Sequence, residues 1–261
     1  MAQWLLSQGF TEVAVLSGGL EAWRRRGYPV VRIPSSTEPP AVHTAPATAA
    51  PLSAETAPLT TFLPHLAESG LLQPQRLPAR RELAVLFVDM ANSTALLYHH
   101  TVEEAFALIQ AFMEEVTETA VAYCGDVKDF EGDGALLYFE SVKEAVPAAF
   151  ALRRALLAKR RRYPALPLPR LSLNAGPLLI GVIGSRFRQS IAMVGPALPI
   201  AARLLKHAPP GGIIATDALV AAARAVHPDL AARFRPQATP LQLDGIEEGP
   251  VRVYLVPPEA A

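Results

Sequence analysis

From residue 83 onward, short apolar runs alternate with longer segments whose apolar positions recur at helical spacing. Leu83-Ala-Val-Leu-Phe-Val is unbroken and closes on Asp89, the pattern of a strand covered on both faces. Thr101–Tyr123 places Val102, Ala105, Phe106, Ile109, Phe112, Met113, Val116 and Ala120 at helical period, with Thr101 and Glu104 set for a capping box. Two strands, Gly125–Phe130 and Ala135–Phe139, fold back at Gly132-Asp133-Gly134. A helix is expected over Val142–Arg161. Strands follow at Arg170–Ala175, Leu178–Ile183 and Ser190–Val194, and a helix at Pro196–Lys206. The order βαββαβ with further strands and helices predicts an α+β, ferredoxin-like sandwich with additions.

Upstream the pattern changes. Nine of the 25 prolines fall between Pro34 and Pro78, among many Ala and Thr and few charges. Such a stretch buries little apolar surface and favours extended conformations, so residues 34–80 read as a linker. Near its end, residues 60–72 carry enough Leu and Phe for a short packed helix. Before the linker, residues 1–33 read as helix (Gln3–Gln8), strand (Val13–Leu16), a Gly18-Gly19 turn and helix (Leu20–Arg26). That piece is far below the usual size of an independent domain.

Composition narrows the class. The 261 residues hold 24 Lys+Arg against 24 Asp+Glu, so the net charge is zero, and 51% are apolar. This suffices for a core and argues against a chain built to neutralise nucleic-acid phosphates. The single cysteine, Cys124, excludes a disulfide framework and a thiolate zinc cluster. No segment supplies the roughly 18 consecutive apolar residues of a membrane span, and Met1–Ala14 has no basic region like that of a secretory leader. The expectation is a cytoplasmic protein without a membrane or nucleic-acid partner.

Asp89 ends the first core strand, and Asp133 sits at the hairpin tip after the first long helix. In a βαββαβ sheet those strands are neighbours, so both carboxylates converge at one end. Two carboxylates beside a triphosphate make a seat for magnesium, which takes oxygen ligands and borrows others from its substrate. Either residue alone is better explained by its turn, since Asp-Gly is a strong hairpin signal.

The surroundings extend this reading. LFVDMANSTAL, FEGDGALLYF, LNAGPLLIGVIGS, VGPALPIAARL and PLQLDGIEEGPVRVYLV stand in order across residues 81–257. Together they resemble the motif series of the class III nucleotidyl cyclases. The resemblance implies attack of a ribose 3′-oxygen on the α-phosphate, giving a 3′,5′-cyclic nucleotide and pyrophosphate for intracellular signalling. ATP or GTP is the expected substrate. It implies that Asp89, Asp133 and the Met90 carbonyl hold two divalent ions, magnesium or manganese. Backbone amides around Ala91–Thr94, with Asn92, Ser93 and Thr94 foremost, would cradle phosphates, and Arg203 would be the transition-state arginine. Metal pair and arginine come from different chains in this family, so a homodimer with interfacial sites is implied. QGFTEVAVLSGGLEAWRRRGYPV likewise resembles the end of a rhodanese domain, without that family's catalytic cysteine loop.

Several positions depart from the cyclase pattern. The base-recognising lysine position holds Asp129; Lys128 is one residue away, which on a regular strand means the opposite face. The second base-recognising position is Ala192, with Ser190 two residues earlier on the same face. The ribose-orienting Asn is replaced by Pro199, in the first turn of its helix, and a frequent phosphate-binding lysine by Asp244. A catalytically weak or idle relative, acting as a nucleotide- or metal-binding or dimerising regulatory module, is therefore the alternative. Lys159-Arg-Arg-Arg162 reads as a solvated helix end, Cys124 as a packed thiol, and the adjacent His99 and His100 as facing different directions.

Overall fold

The computed structural model describes residues 77–185, 188–247 and 249–258; the rhodanese-like stretch and most of the expected linker lie outside them. The chain divides into two compact units, a larger one of residues 62–181 and 192–261 and a smaller one of 1–61 and 182–191. Apart from the strand segments within 182–191, the described helices and strands belong to the larger unit.

The first four strands realise the predicted core. β1 (Ala79–Met90) leads through the short helix α1 (Thr94–His99) to α2 (Val102–Ala122), then to β2 (Gly125–Glu131), β3 (Gly134–Phe139), α3 (Val142–Lys159) and β4 (Pro169–Ser185). The additions are β5 (Arg188–Val194), α4 (Ala197–Leu205), β6 (Ile213–Thr216), α5 (Asp217–Val226), α6 (Pro228–Ala231), β7 (Arg235–Pro236) and β8 (Val253–Val256). The sheet runs β2-β3-β1-β4-β6-β8-β7, with β5 pairing to β4 off this path. β1 lies antiparallel between β3 and β4, as the alternating order requires, whereas β6 joins β4 in parallel through the α4 crossover.

One expectation is revised. The strands read as Arg170–Ala175 and Leu178–Ile183 are one strand, because Gly176-Pro177 does not break it. Both residues keep their places in the ladder, opposite Leu83 and Glu82. Proline already has the φ of an extended chain and forfeits only one donor.

Strand alternation divides the chemistry between two faces. Ala84, Leu86, Val88 and Met90 of β1, with Leu171 and Leu173 of β4, face the main core beneath α2, α3 and α5. The opposite parity carries Val85, Asp89, Arg170, Ser172 and Asn174, and there α4 packs. Ser172 Oγ donates to the Ala201 carbonyl at 2.7 Å, and Asn174 Nδ2 to the Ala197 carbonyl at 3.1 Å. The expected capping box of α2 forms, with Thr101 N–H to Glu104 at 2.9 Å and Glu104 N–H to Thr101 at 3.2 Å. Val102 and Phe106, expected on the buried stripe of α2, instead stand 75% and 61% exposed, beside Leu97 and Tyr98 of α1 in sequence.

Candidate functional site

Register brings the two carboxylates to one end of the sheet. Asp89 lies directly opposite Gly134 of β3 on one side and Arg170 of β4 on the other. Asp133 is the residue before Gly134, in the two-residue turn between Glu131 and Gly134, where Gly132 takes φ +64°. A β-carbon is disfavoured at that φ, which accounts for glycine there.

Arg170 is a residue that motif reading passed over. Its Nε and Nη2 donate to Asp89 Oδ1 and Oδ2, both at 3.0 Å. Directly opposed residues on antiparallel strands share a face at about 4.5–5.5 Å. The signal was therefore present in the pairing of β1 with β4, but only once the register is known. Burial raises the Asp89 carboxyl above the ordinary aspartate range; Arg170 opposes that rise and the Asp133 charge adds to it. Two carboxylates that repel one another beside a bidentate guanidinium form an oxygen-rich, electrostatically tense donor set. This fits a divalent cation, although among the described residues no group of three or more His, Cys, Asp or Glu forms a metal cluster. The Met90 side chain is fully buried in the main core, so its carbonyl is what it can offer.

The segment after Met90 turns sharply, with Asn92 at φ +58°. The Ala91 N–H is already committed to the Leu168 carbonyl at 2.8 Å. This removes Ala91 from the expected cradle and leaves Asn92, Ser93 and Thr94, whose amides precede the first intrahelical bonds, Ala95 to Asn92 and Leu96 to Ser93.

Arg203 lies on a different set of partners. Its Nη1 donates to the Pro199 carbonyl at 3.3 Å, and its Nη2 would stand 3.3 Å from a β-carbon added at Gly245. Gly245, at φ +70°, belongs to the Leu243–Ile246 turn that also carries Asp244. Pro199 is the third residue of α4, as expected of a proline tolerated in a first turn. Asp89 and Arg170 bond to each other, with the Asp133 charge acting on Asp89, while Arg203 has the Pro199 carbonyl and the Gly245 turn as its neighbours.

At the positions expected to recognise the base, one inference reverses. β2 shifts register between Val127 and Asp129, opposite Leu137 and Leu136, so Lys128 is the extra residue of a β-bulge. A bulge sets two residues against one and re-aims the strand's side chains. Lys128 Nζ accordingly reaches Asp129 Oδ2, so the two do not face apart. Ala192 is half-buried on β5, and the Ser190 hydroxyl donates to the Ile191 carbonyl at 3.4 Å.

No family model matches the chain. It is 30% identical over 144 residues to a putative adenylate cyclase 3 of Rhizobium meliloti, covering 54% of this chain and 23% of that protein. The first mycobacterial relatives are likewise covered over only 27% of their length. Among solved structures, the adenylyl cyclase CyaB from P. aeruginosa superposes with a TM-score of 0.61 at 21% identity, over 70% of this chain and 96% of that one. The guanylate cyclase domain of RhGC from Catenaria anguillulae, solved with GTP, gives 0.60 at 18%, over 70% and 100%. The described part of this chain therefore has the α+β fold of the class III adenylyl and guanylyl cyclase domains.

Proposed function

We propose that residues 81–257 form a metal-dependent nucleotidyl cyclase that converts a nucleoside triphosphate, ATP or GTP foremost, to a 3′,5′-cyclic nucleotide and pyrophosphate. The observation that carries this reading is the Asp89–Asp133 pair, set on neighbouring strand ends in a cyclase fold and counterbalanced by Arg170.

In this reading Asp89, Asp133 and the Met90 carbonyl hold two divalent ions, magnesium or manganese, which when bound acidify the 3′-hydroxyl and neutralise phosphate charge. Arg170 compensates Asp89 before substrate arrives, which keeps the two carboxylates tolerable side by side. Asn92, Ser93 and Thr94 present amides to phosphate oxygens. Arg203 supplies charge to the transferring phosphoryl of a second copy's substrate. The exposed apolar surface of Leu97, Tyr98, Val102 and Phe106 supports a homodimer with shared sites. The bulge puts Lys128 and Asp129 together at the base-recognition position, so a donor and an acceptor are offered to the base there, against a methyl group at Ala192. Pro199 gives the ribose no side-chain hydrogen bond, and loss of orientation slows turnover even with metal in place.

The test is a product assay with ATP, GTP, CTP and UTP, each with manganese, against an Asp89→Ala, Asp133→Ala double variant. Product that disappears in the variant supports the cyclase. Nucleotide binding by a folded dimer with no product from any of the four would assign the chain to the idle, nucleotide-binding alternative, which Pro199 and Ala192 favour.

A further inference from the structure

Two features that are unremarkable in the sequence, the His99-His100 pair and the basic run beginning at Lys159, meet in one cavity. It has a volume of about 220 Å³ and is lined on one side by Ala91, Asn92, His99 and His100 and on the other by Arg160 and the Pro164–Pro167 segment. The histidines do not diverge as expected for neighbours on a helix. α1 ends at His99, and His100 takes φ −130° and ψ 159°, so the chain leaves helical geometry between them and both residues line the same space. Arg160 is anchored by its Nε, which donates to the Leu166 carbonyl at 2.7 Å; Nη1 and Nη2 lie outside that bond.

The geometry points to a binding site for a small oxyanion, of the phosphate or carboxylate class, held by Arg160, His99 and His100. Three residues with cationic or protonatable side chains line the cavity, and among the described residues no carboxylate does. The acid beside His100, Glu104, approaches its Nδ1 only at 3.7 Å and already accepts the Thr101 N–H at 2.9 Å. A guanidinium fixed through one nitrogen has its remaining N–H groups preorganised for an oxyanion, and charge-assisted bonds of this kind are the strong ones. Imidazoles by themselves suit transition metals, but the permanent charge of Arg160 makes the same set a poor cation seat. The volume accommodates phosphate or a small organic acid and is too small for a nucleoside triphosphate. Because Ala91 and Asn92 form part of the wall, a bound anion braces the turn that follows Asp89 and Met90.

The experiment uses the full chain without nucleotide or metal. Inorganic phosphate and acetate are titrated in separate arms at constant ionic strength, with chloride as the control. The imidazole proton–carbon NMR signals of His99 and His100 are followed, assigned through His99→Gln and His100→Gln. Both signals are expected to move together and saturably with at least one oxyanion, and the arm that saturates first identifies the class. Arg160→Gln is expected to weaken binding about tenfold or more, the loss of a hydrogen bond to a charged group. Should that variant fail to fold for want of the Leu166 contact, His99→Gln, altering an exposed side chain, must weaken binding by itself. Signals that respond no more to phosphate or acetate than to chloride, or equally in every variant, overturn the site. A response to zinc in place of the oxyanions overturns it as well. None of these readouts requires turnover, so the result stands apart from the cyclase assay.

Discussion

Asp89 combines a buried carboxyl, a bidentate guanidinium and a neighbouring like charge in a single ladder position. On the proposed function, Asp89→Asn removes one of the proposed metal ligands and is expected to lower product formation by about 100-fold or more, since a catalytic ion contributes several kcal/mol. It should also abolish the thermal stabilisation that manganese is expected to give the parent protein in calorimetry. Gly245 is a second residue with a definite physical requirement. Gly245→Ala adds a methyl 3.3 Å from Arg203 Nη2 at φ +70°. It should cost about 1 kcal/mol in chemical denaturation and reduce turnover more than it reduces nucleotide affinity. Tyr138 illustrates pH dependence. Burial and the adjacent Asp126, whose Oδ2 accepts the phenol at 2.8 Å, push its ionisation well above the usual tyrosine range. The unfolded chain releases that proton near pH 10 while the folded one retains it, so this contribution to stability is intact below about pH 10 and declines as pH rises above it. In denaturation titrations Tyr138→Phe should lose this alkaline component and, by depriving Asp126 of a donor, cost about 1–3 kcal/mol at neutral pH.

Among the elements, β4 is the one whose alternate residues do the most. Along one face Arg170 binds Asp89, Ser172 binds the Ala201 carbonyl and Asn174 binds the Ala197 carbonyl, while Thr216, the N-cap of α5, donates to Asn174 Oδ1 at 2.8 Å. The strand thus fixes α4, and with it Arg203, relative to the carboxylates through buried side-chain bonds to helix carbonyls. Asn174→Ala is expected to destabilise more than Ser172→Ala, each by about 1–3 kcal/mol, because it loses two partners instead of one. Urea denaturation checks the order. Turnover should fall in both while manganese affinity, which the proposed ligands on β1 and the β2–β3 turn would set, stays unchanged. The bulge in β2 acts at the same scale: one additional residue brings Lys128 to the side of Asp129, which a regular period of two excludes. Most of the elements were legible in advance, because the apolar periods and the Thr101–Glu104 box specify them locally. The continuous β4 was not, because Gly176-Pro177 is a break by local preference and a strand only through its pairing with β1.

For the whole molecule, the proposed sharing of sites between two copies has the sharpest consequence. If two copies complete each other's sites, Asp89→Asn and Arg203→Ala should each be inactive alone. Mixing the two should then restore part of the activity, since one site of a heterodimer retains all its groups; an assay of the mixture against each variant decides this. Among the described residues no helix is long and apolar enough to cross a membrane. By itself the sequence determined the βαββαβ core, the strand ending at Asp89 and the hairpin carrying Asp133, because hydrophobic period, capping and turn chemistry act over a few residues and leave their mark in order along the chain. The tertiary structure alone decided that Arg170 faces Asp89, that Lys128 joins Asp129, that Ala91 is spent on Leu168, and that His99, His100 and Arg160 border one cavity. Those relations depend on register, on a bulge and on where a helix stops, and they join residues as many as 81 positions apart, beyond the reach of any local pattern.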